Sequence, residues 1–497
     1  MDKFIEVITK INDAVNSFVW GPVMIVIILG TGILLTVSNK FFQITKFPLV
    51  CKSTIGKTFK GKTAHKTNSK SAIPQFEAFS AAIAGTIGTG NIVGVATALV
   101  AGGPGAIFWM WISAFFGMMT KFSENVLGIY YRRRNQNGEF VGGPMYYIES
   151  GLGKKWKWLG ITFAIFTIFA SFGYNMTQVN SISSVCFETF KMPKWVTGVL
   201  VAILIALVTL GGIKRIGKVA SYIVPFMAII FMVMGIVIIG INYRNIPSSM
   251  ALIFKSAFTF KAAGAGIAGY TIKVAMKAGL ARGIFSNEAG LGSSVMAHSS
   301  SDVKEPVQQG MWGVFEVFLD TIVICTMMAL VYLTSGAFGA VDDGGKLIDG
   351  VPLAIIAFKG NLGTFGQVIF SIILPLFAFT TILSWSFYGE KAVEYLTGKI
   401  GVIIYKVIYI AVVVVGAMLN LELVWNIADT FNGLMAIPNL ISLILLSGNV
   451  YAITQNYLKR HSKKGKYNVR PMLSYDEKEN AIIQQSLIET ASQDINK

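Results

Sequence analysis

Two glycine-broken apolar segments, about two hundred residues apart, carry the residue types that bind small ions and zwitterions inside a membrane. The first reads A-G-T-I-G-T-G-N-I-V-G, Ala84 to Gly94, and the second R-G-I-F-S-N-E-A-G-L-G, Arg282 to Gly292. Gly and Asn clusters unwind a helix and free its backbone N–H and C=O groups. In hydrocarbon each orphan costs several kcal/mol, so such breaks persist only where they line a protein-enclosed cavity. A kink that merely aids packing is the bland alternative. It does not call for several glycines plus an Asn at one place in both halves. Half-helix N-termini hold a carboxylate. Half-helix C-termini and unwound carbonyls hold an ammonium or Na⁺. Thr86, Thr89, Asn91, Ser286 and Asn287 add neutral oxygens, which suit a hard cation.

Other polar residues fall inside apolar stretches. Thr380, Thr381, Ser384 and Trp385 form one cluster, although lone threonines often bond back to their own helix. Asn175 and Gln178 need partners, and interhelical hydrogen bonding would supply them without any ligand. Glu288 reads either as a coupling carboxylate or as a structural partner of Arg282 or a lysine; the pair is favoured, since an unpaired buried charge is costly. Glu316 and Asp320 are one turn apart and repel unless a cation or water intervenes. They are expected near the water interface otherwise. Gly85, Gly88 and Gly90 fit neither the dinucleotide fingerprint nor the P-loop, and no strand precedes them.

The elements that must position these residues are membrane helices. The 497 residues are 54% hydrophobic and only 13% charged, with 42 Lys+Arg against 25 Asp+Glu; mean hydropathy is +0.61. Soluble domains average about 25% charged residues. The net charge of +17 does not indicate nucleic acid, because the cations cluster in short loops between apolar spans. Cys51, Cys186 and Cys325 have no paired spacing, and His65, His298 and His461 are too few for a transition-metal site. No cleavable signal peptide is visible.

Phe4, Ile8, Ile11, Val15 and Phe18 make one apolar face, expected to lie on the membrane surface. About eleven spans follow, near 20–38, 72–101, 105–131, 157–187, 194–211, 218–241, 264–299, 308–335, 364–389, 401–419 and 425–449. Between residues 39 and 72 lie Lys40, Lys46, Lys52, Lys57, Lys60, Lys62, Lys66 and Lys70 without an acid. That loop is cytoplasmic by the positive-inside rule, and the N-terminus is outside. Arg132 to Arg134, Lys154, Lys155, Lys157, Lys214, Arg215 and Lys218 then fall inside, and Asp342, Asp343 and Asp349 outside. The tail with Lys459, Arg460, Lys463, Lys464 and Lys466 is cytoplasmic and, from about residue 456, polar and partly disordered.

The domain organisation follows from span parity. Residues 1–71 hold the amphipathic start, an extra helix and the basic loop. Residues 72–245 and 246–450 each hold five spans and so enter the membrane from opposite sides, an inverted repeat led by its broken helix. Residues 451–497 are the tail. Lys273, Lys277 and Arg282 precede the second break, where each cation would cost about 2.5–3.5 kcal/mol at the bilayer centre. They must meet a wet vestibule, Glu288 or an acid on a neighbouring helix.

The motifs G-T-I-G-T-G-N-I-V-G-V-A-T-A-L, G-G-P-G-A-I-F-W-M-W, K-F-S-E-N, G-G-P-M-Y-Y-I and above all R-G-I-F-S-N-E-A-G-L-G-S-S resemble the alanine or glycine:cation symporter family. The likeness continues through T-T-I-L-S-W-S-F-Y-G-E and W-N-I-A-D-T-F-N-G-L-M-A-I-P-N. It implies an all-α polytopic membrane protein with the leucine-transporter fold, eleven transmembrane helices, and Na⁺-coupled uptake of a small neutral amino acid across the plasma membrane. Gly88, Gly90, Asn91, Gln178, Phe285, Ser286, Asn287 and Trp385 would then contact substrate. Asn91, Asn287, Thr380 and Thr381 would serve sodium. Na⁺ is the coupling ion, with no organic cofactor. Alanine or glycine is the expected substrate and glutamine the alternative. A channel would need a continuous polar path, whereas the polar residues concentrate at the midplane. A membrane enzyme would need a nucleophile–base or metal set.

Overall fold

The structure is a computed structural model that describes residues 2–60, 72–258, 271–419, 421–461 and 469–495. Helix α1 (Asp2–Val19) meets α2 (Pro22–Ser38) at a bend of 43°. Short helices α3 (Phe42–Thr45), α4 (Phe47–Ser53) and α5 (Ile55–Lys60) follow. Lys62, Lys66, Lys70 and His65 of the basic loop lie outside the described residues, as do Lys463, Lys464 and Lys466.

The first broken segment comprises α6 (Gln75–Thr86), a 3₁₀ turn (Thr89–Asn91) and α7 (Val93–Gly102). Its helices diverge by 52°. Then come α8 (Gly105–Tyr130), a two-residue antiparallel ribbon of β1 (Arg133–Arg134) and β2 (Phe140–Val141), and α9 (Pro144–Gly151). Helices α10 (Lys157–Phe190), α11 (Lys194–Thr209), α12 (Gly212–Ile241) and α13 (Ile246–Ala257) precede the second broken segment, α14 (Ile272–Asn287) and α15 (Val295–Ser299). Next is α16 (Pro306–Val317), which continues as a π-helix (Phe318–Cys325) into α17 (Thr326–Thr334). The remainder is α18 (Gly350–Met418), α19 (Leu421–Leu445), α20 (Ser447–Arg460) and α21 (Glu477–Ile495).

Five of these helices are long and apolar enough to cross a membrane, or seven if each bent pair is one span. The chain is a multi-pass membrane protein. Helix α18 is broken at Gly363 and Gly398, and the stretches 364–397 and 399–418 run on either side of the second break. Gly398 has φ 70° there, a conformation that glycine adopts without strain. The Tyr409 hydroxyl donates to the Ile382 carbonyl at 2.9 Å, so the two stretches lie side by side. Helices α11 and α12 leave Ile203, Leu204, Leu207, Phe226, Ile229, Val233 and Ile236 exposed, as lipid-facing surfaces do.

Small and polar residues bring the central helices together, as in other membrane bundles. Asn175 Nδ2 donates to Tyr409 O at 2.8 Å, Asn180 Nδ2 to Leu419 O at 2.7 Å, and Ser183 Oγ to Ala417 O at 2.8 Å. These bonds join α10 to the second stretch of α18. Asn175 is therefore an interhelical tie.

Two expectations change. The described part of the α1 face is not uniformly free: Ile11 and Phe18 are exposed, but Val15 packs against the core. Asn16 on α1 donates to Thr430 of α19 at 3.2 Å, so α1 is held by protein contacts. The tail is docked rather than loose over 469–485. Tyr475 N donates to Tyr130 O at 3.0 Å, and Asn480 Oδ1 accepts from Leu473 N and Ser474 N at 2.8 and 3.1 Å. Arg134 pairs with Glu479 at 2.8 Å. The sequence shows the polarity of this segment, but not the Tyr130 carbonyl that the end of α8 presents to it.

Candidate functional site

The first break starts where Ile87 leaves the helix (ψ 94°) and Gly88 becomes extended (φ −140°, ψ −148°). Side chains take up two of the freed amides. Gly88 N donates to Asn91 Oδ1 at 3.0 Å, and Thr89 N donates to Gln178 Oε1 at 3.2 Å from α10. Gln178 thus touches the break and is not merely interhelical glue. On the other side stands α18. Thr381 Oγ1 donates to Ala84 O at 2.9 Å, and Ser384 Oγ to Ala81 O at 2.7 Å. The Thr380 hydroxyl is bonded to Phe377 O of its own helix at 3.0 Å.

The second break follows Asn287. Glu288 has φ 56°, unusual for a residue with a side chain, and Gly290 and Gly292 have φ 93° and 72°. Surrounding bonds hold this strained turn. Glu124 Oε1 accepts from Gly290 N at 3.0 Å, Gly292 N at 3.1 Å and Asn439 Nδ2 at 2.6 Å. Glu288 itself accepts from Trp385 Nε1 at 2.8 Å and from the Ser293 hydroxyl.

The two breaks touch. A Cβ on Gly90 would lie 3.2 Å from Ser286 Cα and 3.3 Å from Phe285 Cδ1, tight enough that a side chain there would have to push its neighbours back by a few tenths of an ångström. A Cβ on Gly88 would meet Thr381 Oγ1 and Gln178 Oε1. Gly88, Gly90, Asn91, Gln178, Phe285, Ser286 and Thr381 are therefore neighbours. Asn287 faces away from the first break toward Thr321, whose hydroxyl accepts from its Nδ2 at 3.0 Å.

A stack of aromatic rings closes one side. Trp385 lies on Tyr174 with centroids 3.7 Å apart, Tyr174 on Phe285 at 4.5 Å, and Phe285 meets Trp425 at 4.6 Å. The Tyr174 hydroxyl donates to Phe285 O at 2.9 Å. Arg282 caps the stack 4.9 Å above the Trp425 ring and pairs with Asp429 through both carboxylate oxygens, at 3.1 and 2.5 Å.

The structure decides three pairings that the sequence leaves open. Arg282 meets Asp429 of α19 and not Glu288. Lys273 and Lys277 are exposed and line an open cavity of about 790 Å³ with Ser17, Trp20 and Thr271. Glu316 and Asp320 lie away from any interface, both fully buried. Glu316 meets Lys121 at 3.5 Å and His298 at 2.8 Å. Asp320 accepts from Asn91 Nδ2 at 2.7 Å, Ser286 Oγ at 2.9 Å and Thr321 Oγ1 at 2.7 Å.

Tyr174, Asp320, Trp425 and the buried set around Lys121 and Glu124 escape a reading by breaks alone. A signal existed for two of them, since K-F-S-E-N places Lys121 and Glu124 in mid-span, where an ionisable residue marks function. Just after α8, Arg132 donates to Ser301 O at 2.7 Å and Val303 O at 2.8 Å. Burial pulls its guanidinium down to about 10, which leaves it charged at neutral pH while it ties α8 to the loop before α16.

Comparison with known proteins adds the following. Residues 5–471 match the sodium:alanine symporter family. The sodium/alanine symporter AgcS of Methanococcus maripaludis is 46% identical over 459 residues, covering 91% of this chain and 98% of the relative. An uncharacterised transporter of Haemophilus influenzae is 45% identical, covering 91% and 97%. The probable sodium/glutamine symporter GlnT of Bacillus subtilis is 35% identical, covering 93% of each. Among solved structures, MhsT in complex with L-phenylalanine matches with a TM-score of 0.54 at 13% identity, covering 79% of this chain and 99% of that one. That likeness concerns the fold, and it is the leucine-transporter fold expected above.

Proposed function

The chain belongs to the sodium:alanine symporter family, and from this premise we propose that it carries a small neutral amino acid, alanine or glycine, into the cell together with Na⁺. One observation carries the reading: the unwound turn at Gly90 meets the last helical turn of α14 at Ser286, just before the second break, in a fully buried polar centre. Such a place offers N–H groups to a carboxylate and carbonyls to cations without exposing either to lipid.

In this reading the amides of Gly88, Thr89 and Gly90 hold the substrate carboxylate, with Gln178 and Asn91 as their acceptors when the substrate is absent. Phe285, Ser286 and Trp385 bound the substrate side. Thr381, joined to Ala84 O, serves sodium, with Asn91 and Asn287 contributing amide oxygens and Thr380 a backup hydroxyl. The aromatic stack under Arg282 and Asp429 supports a small side chain, because rings in contact leave little depth beyond Cβ. Repeats 72–245 and 246–450 would move against each other, with the N-terminus outside and the C-terminus cytoplasmic. Sodium entry supplies about 2.3 kcal/mol per charge per 100 mV, provided ion and amino acid are bound together before the protein switches sides.

The test is uptake of labelled alanine into proteoliposomes under an inward Na⁺ gradient. Saturable accumulation that collapses without the gradient is expected. Passive equilibration at channel-like rates would overturn the proposal. Stronger competition by glutamine than by glycine would replace the substrate and leave the mechanism intact.

A further inference from the structure

We propose that the groove between α2 and the start of α14 binds one anionic phospholipid, with its phosphate at Lys273 and Lys277 and an acyl chain laid along α2.

The groove is the open cavity of about 790 Å³ at this junction. One wall is the 43° bend where α1 passes into α2, with Ser17, Trp20 and Pro22. The other is the first turns of α14, with Thr271, Lys273 and Lys277. The two lysines are exposed and, one helical turn apart, share a face. No acid lines the cavity among the described residues, and the Asp429 carboxylate on α19 is taken by Arg282. The N-terminus of α14 adds positive partial charge at the same place. The lysines that the positive-inside rule collects begin at Lys40, past the opposite end of α2, so that rule does not account for this pair. Two cations at a helix N-terminus, unmatched by an acid, suit a phosphate.

The rest of the groove is apolar. Ile25 and Val26 of α2 line it opposite Ile272 and Met276 of α14. From Val26 an exposed stripe continues along α2 through Gly30, Ile33 and Val37. Spacings of three and four residues keep these on one helix face. At 1.5 Å per residue the stripe is about 16 Å long, roughly half of a hydrocarbon core about 30 Å thick, which is the depth of one leaflet. A soluble anion would use the lysines and leave the stripe bare, whereas a phospholipid covers both. Seated there, it bridges α2 to α14, the helix that leads into the second break.

The experiment uses purified full-length protein, stripped of copurified lipid in detergent and titrated with phosphatidylglycerol or phosphatidylcholine. Both lipids carry a phosphate, and they differ in net charge. Binding of the first lipid is read by native mass spectrometry. Phosphatidylglycerol should bind about tenfold more tightly. Lys273→Gln with Lys277→Gln should abolish that preference, and each single variant should lose part of it, which decides the matter if the double variant does not fold. Lys154→Gln with Lys155→Gln, which removes two exposed lysines elsewhere, should leave it unchanged. Equal binding of the two lipids by the unmodified protein, or a preference that survives loss of Lys273 and Lys277, overturns the site. Loss of the preference in both double variants shows unlocalised charge attraction and overturns it as well. Glycerol 3-phosphate in the same titration should leave the lipid bound. Displacement at a concentration matching the lipid's would make this a free-phosphate site and overturn the lipid as occupant.

Discussion

Thr380 and Thr381 are adjacent in the chain, yet their hydroxyls do different things. Both lie within reach of Phe377 O of their own helix, but only Thr381 also reaches across to Ala84 O at the end of α6. Thr381→Ala should raise the Na⁺ concentration for half-maximal uptake tenfold or more, since an oxygen contact to a charge is worth about 1.5–3 kcal/mol. Thr380→Ala should shift it by much less. Equal shifts in the sodium titration of alanine uptake would mean that both hydroxyls turn toward the ion. Gly90 makes a second residue-scale prediction. Ala at 90 brings a methyl within 3.2 Å of Ser286 Cα, tighter than packed atoms accept, at a cost of about 1–3 kcal/mol. Uptake should fall sharply while the protein stays monodisperse on size exclusion. Normal uptake would show that the breaks do not need their close approach.

At the scale of elements, the ion pair between Arg282 and Asp429 clamps α14, just before the second break, to α19. The side chains of Arg282 and Asp429 are 13% and 7% exposed, so removing one partner strands a nearly buried charge. Asp429→Asn should destabilise the protein by about 3 kcal/mol, the low end for a buried pair, and reduce uptake. An unchanged thermal midpoint would mean that Arg282 finds water at once. The broken helices themselves were legible because Gly and Asn clusters in hydrocarbon have few structural meanings. Gln178 was legible as polar in mid-span, but its partner was not: a side chain can reach a break or a neighbouring carbonyl, and Asn175 one turn earlier does the latter. Glu288, Glu316 and Asp320 were read as neighbours in sequence, through i,i+4 spacing and proximity to Arg282. Their real partners, Trp385, Lys121 and Asn91, come from helices far along the chain. Pairings of that kind depend on how helices rotate about their axes, which composition does not encode.

For the whole molecule, orientation is the property that loops decide. A cysteine at Asn12 should react with an impermeant reagent in intact cells, and one at Lys478 only after permeabilisation, in a background where Cys51 and Cys186 are replaced by Ser. The reverse pattern would invert the topology. The docked tail adds a constraint, for Arg460 meets Glu305 through two bonds of 2.7 Å and Lys304 donates to Ser486 O at 3.2 Å. Helices α20 and α21 are thus tied to the N-terminal end of α16.

The ring stack has an optical consequence. Trp385 and Trp425 sit at its two ends, each in contact with another aromatic face and screened from water. Indole emission moves to longer wavelength and dims when water reaches it. Parting the rings to admit an amino acid wets one or both indoles, so the unlabelled protein reports its own opening as a colour change. Trp385→Phe and Trp425→Phe, compared singly in rapid mixing with sodium and then alanine, separate the spectral steps of the two ends. The order in which they change gives the sequence in which the passage unseals.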